Sequence, residues 1–396
     1  MSKKLVPAIR FKEFTNDWFQ DKVENIIYSA KSGGTPDTSN TEYYQGDIPF
    51  LNISDITNSD KYLYKTQKFI SKSGLKNSSS MVILKNNLIL ALYASFGKVC
   101  INKIDLAISQ AVISLEFLNS INTEFAYYIF YNMHLNHEWN KFIFLGTQPN
   151  LTSRAIKNKN IIITNINEQQ KISKIFIGID NSISLLKRKL EKLENIKNTL
   201  LNKMFANEKN LKPDIRFKEF TNDWFQEKVG NLFKVTRGQV LNTNKLKEFP
   251  SEKYKYPVFS SRTINKGLLG YYNEYLFEDA ITWTTDGAEA GTVNYRKGKF
   301  YPTNVCGVLI NYELANYAIS YSLNDLTYKF VSKAAIPKLM NNVMANIDFY
   351  LSTDSLEMQK ISKFIELFND NISLLKRKIE KMENIKQTLL NKMFVQ

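Results

Sequence analysis

Between residues 179 and 204 the apolar positions fall at alternating steps of four and three: Ile179, Ile183, Leu186, Leu190, Leu193, Leu200 and Met204, interrupted only by Lys197. That spacing lays them in one stripe along an α-helix and marks a heptad seam. The register is written a second time by Phe368, Ile372, Leu375, Ile379, Met382, Leu389 and Met393, with Lys386 at the matching break. Each run opens on a cap-x-x-Glu signal, Asn165 with Glu168 and Asp354 with Glu357, which predicts a helix start. Each helix should then run for about 40 residues, about 60 Å at 1.5 Å per residue, unless Gly178 or the pair Asp180-Asn181 bends the first. Two such helices in one chain predict an antiparallel coiled coil. A polar residue in a seam sets register at some cost in stability, so Lys197→Leu with Lys386→Leu is expected to raise thermal stability.

A second repeat fixes the organisation. PAIRFKEFTNDWFQDKVENI from Pro7 recurs as PDIRFKEFTNDWFQEKVGNL from Pro213, an offset of 206, whereas the helices repeat at an offset of 189. The difference of 17 means that two variable inserts of unequal length sit between constant parts. The expected order is a constant segment 1–23, a variable domain 24–164, a long helix 165–206, the repeated constant segment 207–232, a second variable domain 233–353 and a second long helix 354–396. Phe11, Phe14, Trp18 and Phe19, like Phe217, Phe220, Trp224 and Phe225, are expected to pack each variable domain onto the base of the helices.

Within the first variable segment, GGTP at Gly33 signals a turn and is followed by short β-favouring runs, GDIPFLNISDI, MVILKNNLILALYASFGKVCINKI and AISQAVISLEFL. Thr123 to Phe142 reads as an aromatic-rich helix. The second variable segment shares few residues but keeps landmarks: Gly97 to Gln110 spans the same 13 positions as Gly291 to Asn304, and Asp47-Ile48-Pro49 answers Lys255-Tyr256-Pro257. One fold carrying two surfaces is expected. The fold class is α/β (α+β): two globular domains separated by two long antiparallel coiled-coil helices, with a pseudo-two-fold internal repeat.

Lys and Arg outnumber Asp and Glu by 53 to 38, a net +15 in 396 residues. A charge of that size spread along the chain makes polyanions the leading partner class. The single Cys100 and Cys306 give no disulfide framework and fit a reducing compartment. MSKKLVPAIRFK lacks the apolar core of a signal peptide, and the run around Leu88 to Ala94 falls short of the ~20 residues that span a bilayer. A cytoplasmic protein without a membrane partner is expected.

Catalytic motifs are missing. There is no Gly-x4-Gly-Lys-Ser/Thr loop, no Asn-Pro-Pro or Asp-Pro-Pro of an amino-methyltransferase, and no Glu-x-Lys of a nuclease. His134 and His137 have the spacing of two metal ligands but no third, and no metal site is expected. GAEAG at Gly287 reads as a turn, and Lys187-Arg188-Lys189 as a solvated helix face. What the variable segments offer is loops rich in the side chains that read base edges and phosphates. In the first these are Lys31, Ser32, Thr35, Asn52, Tyr93, Ser95, Lys98, Gln148, Asn150 and Arg154. In the second they are Arg237, Gln239, Ser260, Ser261, Arg262, Thr284, Thr285, Asp286, Thr303 and Asn304.

The two IRFKEF-x4-WF segments, the paired LLKRK and NKMF helix endings, and the landmarks GGTP, GDIPFLNISDI and YPVFSS together resemble the specificity subunit of type I restriction-modification enzymes. The likeness covers nearly the whole chain. It implies a non-catalytic subunit with two target recognition domains on a helical ruler, each reading one half of a bipartite asymmetric site in double-stranded DNA. It further implies two modification subunits that bind S-adenosylmethionine and methylate adenine, and two restriction subunits that use ATP and Mg; no cofactor belongs to this chain. A DNA-independent coiled-coil scaffold and a specificity subunit of a methylation-only complex are the alternatives.

Overall fold

The computed structural model describes residues 5–144, 149–261 and 265–395. They form two compact units, Met1–Leu186 with Lys378–Gln396, and Lys187–Arg377. Each unit therefore holds one constant segment, one variable domain, the start of one long helix and the end of the other.

In the first unit a five-stranded sheet has the order Ile27–Lys31, Val112–Phe117, Leu88–Ala91, Val99–Asn102 and Tyr62–Leu63. The first four strands pair antiparallel and the last is parallel to its neighbour. Leu88, Leu90, Val99, Ile101, Ile113 and Leu115 bury one face against the helix Thr123–Leu135, through Phe125, Ala126 and Ile129. That helix is shorter than the aromatic run suggests. It stops at Leu135, His137 turns into the left-handed region (φ 54), and Glu138–Phe142 continues as a 3-10 turn. A four-stranded sheet, Lys68–Ile70, Ile48–Phe50, Leu106–Ile108 and Met81–Ile83, completes the domain.

The second unit repeats the plan. Its sheet begins Lys234–Arg237, Cys306–Ile310, Phe277–Thr284 and Val293–Pro302, the same order as the first four strands above, and continues with Tyr256–Phe259 and Leu268–Tyr272. The landmarks are structural equivalents. Gly97 (φ 71) and Gly291 (φ 89) close matching hairpins, donating their amides to Ala91 O at 3.0 Å and Thr284 O at 2.8 Å. Pro49 and Pro257 precede Phe50 and Val258, which pair in parallel with Ala107 and Tyr301. One match escapes the sequence: a Cβ on Gly33 would lie 1.9 Å from Ile108 O, and one on Gly238 would lie 2.1 Å from Pro302 O. Both turns need glycine because the same neighbouring carbonyl occupies the space.

The long helices run unbroken over Ile166–Met204 and Ser355–Met393, 39 residues each. Gly178 causes no break, and nothing lies within 4 Å of a Cβ placed there. In each unit the two helices lie antiparallel. Asp180 meets Lys386 at 2.7 Å while Phe176 packs on Phe394 in the first, and Lys197 meets Asn369 at 2.7 Å while Glu194 meets Lys376 at 2.9 Å in the second. Of the seam positions, Ile183, Leu375 and Ile379 are buried, and Leu186, Leu190, Leu193, Ile372 and Met382 half-buried. At the ends the deepest residues are Leu201 and Leu390, one position beyond the half-buried Leu200 and Leu389.

The two glutamates of the cap signals have another task. Asn165 does cap its helix through the Glu168 amide at 3.0 Å, but the Glu168 carboxylate takes a bidentate contact from Arg10, at 2.7 and 2.8 Å, and the Thr164 hydroxyl at 2.5 Å. In the second unit Arg216 binds Glu357 at 2.6 and 2.8 Å, and Trp224 Nε1 donates to it at 3.1 Å. Both carboxylates are fully buried. Bidentate arginine pairs of this kind fix geometry as well as charge, and here they clasp each constant segment to the first turn of a helix. Trp18 and Trp224 are buried beside the clasps, against Phe394 and Phe205 respectively. Phe19 and Phe225, by contrast, are exposed, because as first residues of edge strands they point outward.

Candidate nucleic-acid interface

In both domains the loops after the first strand, before the second and between the third and fourth gather at one end of the sheet, as antiparallel pairing requires. In the first domain Ser32 donates to Val112 O at 2.9 Å and Thr35 to Gln110 Oε1 at 2.9 Å. Leu92 binds Ala111 O and accepts from the Leu151 amide, so Tyr93 and Asn150 reach the same end. Lys98 Nζ donates to Thr57 O at 2.5 Å, and Thr57 Oγ1 lies 3.5 Å from Ser95 Oγ, fastening this hairpin to the short helix Ile53–Asn58. Asn52 caps that helix in a reciprocal pair with Asp55. Lys31, Ser32 and Thr35 are exposed at the loop end, and Arg154 on the short helix Ser153–Lys157 that follows. Gln110, named from sequence only as a landmark, is exposed among them and joins the candidate surface.

In the second domain Arg237, Gln239 and Asn304 are exposed at the equivalent end, with Ser260, Ser261, Thr284 and Asp286 half-buried beside them. Gln239 bridges to Thr303, and the Ser260 amide donates to Gly267 O at 2.8 Å. Asp286 pairs with Lys338 at 3.4 Å. Two expectations change here. Thr285 is fully buried and is the counterpart of Leu92: its amide donates to Val305 O and its carbonyl accepts from Leu339 N, while its hydroxyl goes to Asp286 at 2.6 Å. Thr303 matches Ser109, and both are buried under the turn that exposes Asn304 and Gln110. These threonines support the loops and present no hydroxyl to a base edge. Gln148 and Arg262 lie outside the described residues.

Sequence reasoning also missed a polar junction in the first unit. Lys61 is buried, donates to the Tyr128 hydroxyl at 3.1 Å and lies over the Tyr62 ring at 4.4 Å; Tyr128 in turn donates to Asp180 at 2.6 Å. Burial pushes the Lys61 ammonium down to about 8, against the pull of Asp180 and Glu124. Lys386 closes the set on Asp180 with its ammonium 4.5 Å from the Tyr131 ring. Lys61 sits in a Ser-Asp-Lys-Tyr loop with no periodicity, so no local signal marks it.

His134 Nδ1 donates to Phe96 O at 2.9 Å, and burial lowers the pKa of the ring. Among the described residues no three His, Cys, Asp or Glu side chains converge as a metal site. Cys100 and Cys306 are free and buried, their thiols pushed up to about 12 and about 11 by burial. Among the described residues no helix is long and apolar enough to cross a membrane.

The fold is thus a duplicated α/β domain that holds polar loops at one sheet end, each copy clasped to a long helix. The model of the type I restriction modification DNA specificity domain matches residues 16–195 and again 221–384, and the chain belongs to that family. A putative type I specificity subunit N-terminus from Mycoplasma pneumoniae is 37% identical over 145 residues, 36% of this chain and 75% of that one. The specificity subunit of the type I restriction enzyme MjaIX from Methanocaldococcus jannaschii is 28% identical over 273 residues, 67% of this chain and 62% of that one. In fold the chain is similar to the type I restriction-modification S subunit of M. genitalium, with a TM-score of 0.72 at 18% identity over 98% of this chain and 99% of that one.

Proposed function

We propose that this chain is the non-catalytic DNA specificity subunit of a type I restriction-modification complex, with the loop end of each domain reading one half of a bipartite target. The observation that carries the reading is the contrast between frame and loops. The clasps, the helix ends and the order of the sheet's first four strands are the same in both copies, while the loop ends present different side chains, Lys31, Thr35 and Gln110 in one, Arg237, Gln239 and Asn304 in the other. Each half-site then needs a few bidentate contacts, at ~1–3 kcal/mol of discrimination apiece. The long helices would set the unread gap. Two modification subunits would supply S-adenosylmethionine chemistry at adenine, and two restriction subunits ATP, Mg and cleavage. The cytoplasm is where such a complex would meet DNA.

Methylation mapping in cells tests this. Replacing residues 24–164 with another such domain should change one half-site and leave the other half and the gap. Adding one heptad to both helices, about 10 Å, should keep both half-sites and widen the gap by about three base pairs. A swap that altered both halves together, or a longer ruler with an unchanged gap, would overturn the model.

A further inference from the structure

The stretch 328–340 of the second domain holds none of the residues expected to read bases, yet it is strapped to the end of the sheet where they gather. Its flanks are tied to the hairpin that carries Thr284 and Asp286. On one side Thr327 Oγ1 donates to Gly291 O at 2.7 Å. On the other the Gly287 amide donates to Pro337 O at 3.0 Å, the Leu339 amide to Thr285 O at 2.9 Å, and Lys338 Nζ pairs with Asp286 at 3.4 Å. Between the flanks the loop closes on itself, the Ser332 amide donating to Lys338 O at 2.8 Å and the Lys338 amide to Ser332 Oγ at 3.1 Å. The tip so held reads Lys333-Ala334-Ala335-Ile336-Pro337, exposed up to the proline. Ile336 is 58% exposed, on a backbone that the following proline confines to extended conformations. Tyr328, Phe330 and Met340 are exposed at the base of the loop. Single exposed apolar side chains are ordinary, but here a backbone fixed on both sides holds an apolar tip between Lys333 and Lys338. The carboxylate tied to it, Asp286, is already engaged by Lys338 and by the Thr285 hydroxyl, so the tip can approach a polyanion.

We propose that the loop 332–338 is a further reading element of the second domain, and that Ile336 contacts the C5 methyl group of a thymine in that domain's half-site. This rests on the DNA-reading function above. An aliphatic side chain offers nothing to the donors and acceptors of a base edge, and the apolar group that the major groove presents is the thymine methyl. Arg237, Gln239 and Asn304 can address hydrogen-bonding edges; Ile336 adds a contact that tells thymine from cytosine, which has no methyl at C5. Lys329 and Lys333, both exposed, would meet the flanking phosphates and position the loop without reading sequence.

The test uses the full chain with its modification subunit, and two duplexes carrying the target found by methylation mapping. The second domain's half-site is the one left unchanged when residues 24–164 are replaced. In one duplex that half-site keeps its thymines; in the other each is deoxyuridine, which lacks only the methyl. The wild type should bind the deoxyuridine duplex about fourfold more weakly, the worth of one buried methyl group. Ile336→Ala, a surface change that should leave Tm alone, should bind the thymine duplex at least that much more weakly and no longer distinguish the two. Equal binding of both duplexes by the wild type overturns the proposal, as does a half-site without thymine. An Ile336→Ala variant that weakens both duplexes alike overturns it too, since the loop would then touch DNA elsewhere than at a methyl. A variant that loses the modification subunit in the absence of DNA would make the loop a protein contact and likewise overturn it. A wild type that binds neither duplex would refute the DNA-reading function itself, an outcome distinct from one that binds both equally.

Discussion

Glu357→Ala cuts the second clasp and gives the sharpest energetic expectation. The carboxylate is fully buried and accepts from Arg216 Nε at 2.6 Å, Arg216 Nη2 at 2.8 Å and Trp224 Nε1 at 3.1 Å. Truncation leaves a guanidinium only 12% exposed with no counter-charge and strands the indole donor. Breaking one partner of a buried pair costs ~3–5 kcal/mol, and the indole adds ~1 kcal/mol. Glu168→Ala should cost about the same, since Trp18 Nε1 has no hydrogen-bond partner to lose but the buried Thr164 hydroxyl, which donates to Glu168 at 2.5 Å, is stranded in place of the indole. Replacing both charges, Arg216→Met with Glu357→Leu, should recover most of the loss, because two apolar groups of similar volume remove the desolvation cost along with the attraction. Two compact units need not unfold together, so a single melting curve would blur the effect. Native-state hydrogen exchange resolves it: in Glu357→Ala the Ile215 and Trp224 amides, which bond Lys203 O and Leu211 O, should lose protection while the Trp18 amide keeps its own. Unchanged protection of residues 207–232, or a double variant no better than the single, would refute the reasoning.

Gly178→Ala should raise Tm, gaining ~0.5–1 kcal/mol, because the site is an exposed helix interior with open space around a new Cβ. Trp18→Ala should cost ~3 kcal/mol or more by urea unfolding, as truncation of a buried aromatic. The seam lysines should now part company: Lys197→Leu should raise Tm, since it replaces a partly desolvated ammonium opposite an amide, while Lys386→Leu should lower it by leaving Asp180 with only the Tyr128 hydroxyl. Lys61 is held at about 8 against an ordinary 10.5, so between those values the folded chain binds fewer protons than the unfolded one. The resulting cost to folding is full below about pH 8 and fades as the pH rises toward 10.5. The Tm advantage of Lys61→Met over the wild type should therefore shrink as the pH is raised above 8, and a constant difference would place the ammonium in water.

Periodicity and repetition carried the large features. The stripe through Ile183, Leu375 and Ile379 is buried, and Gly97 and Gly291 close matching hairpins although little else in the two domains is shared. What stayed hidden depends on distant partners. Gly33 and Gly238 are equivalent at an offset of 205, one short of the flanking repeat, so alignment by the constant segments slips past them. Thr285 reads as a polar loop residue and is the counterpart of a leucine, since only the sheet shows which residue of the hairpin turns inward. The cap signals placed the helix starts, but the use of Glu168 was set by Arg10, 158 residues away in sequence.

The clasps have a consequence for chain entropy. Arg10 and Glu168, like Arg216 and Glu357, lie outside the variable segments, so each insert is a loop whose two ends are held by an arginine and a glutamate that are the same in both copies. Closure entropy grows only with the logarithm of loop length. The 17-residue difference between the inserts therefore changes the closure term by about 0.1 kcal/mol. With its ends fixed by the frame, an insert of new sequence and somewhat different length has to fold only itself, and natural selection can try new reading surfaces without renegotiating the stability of the support.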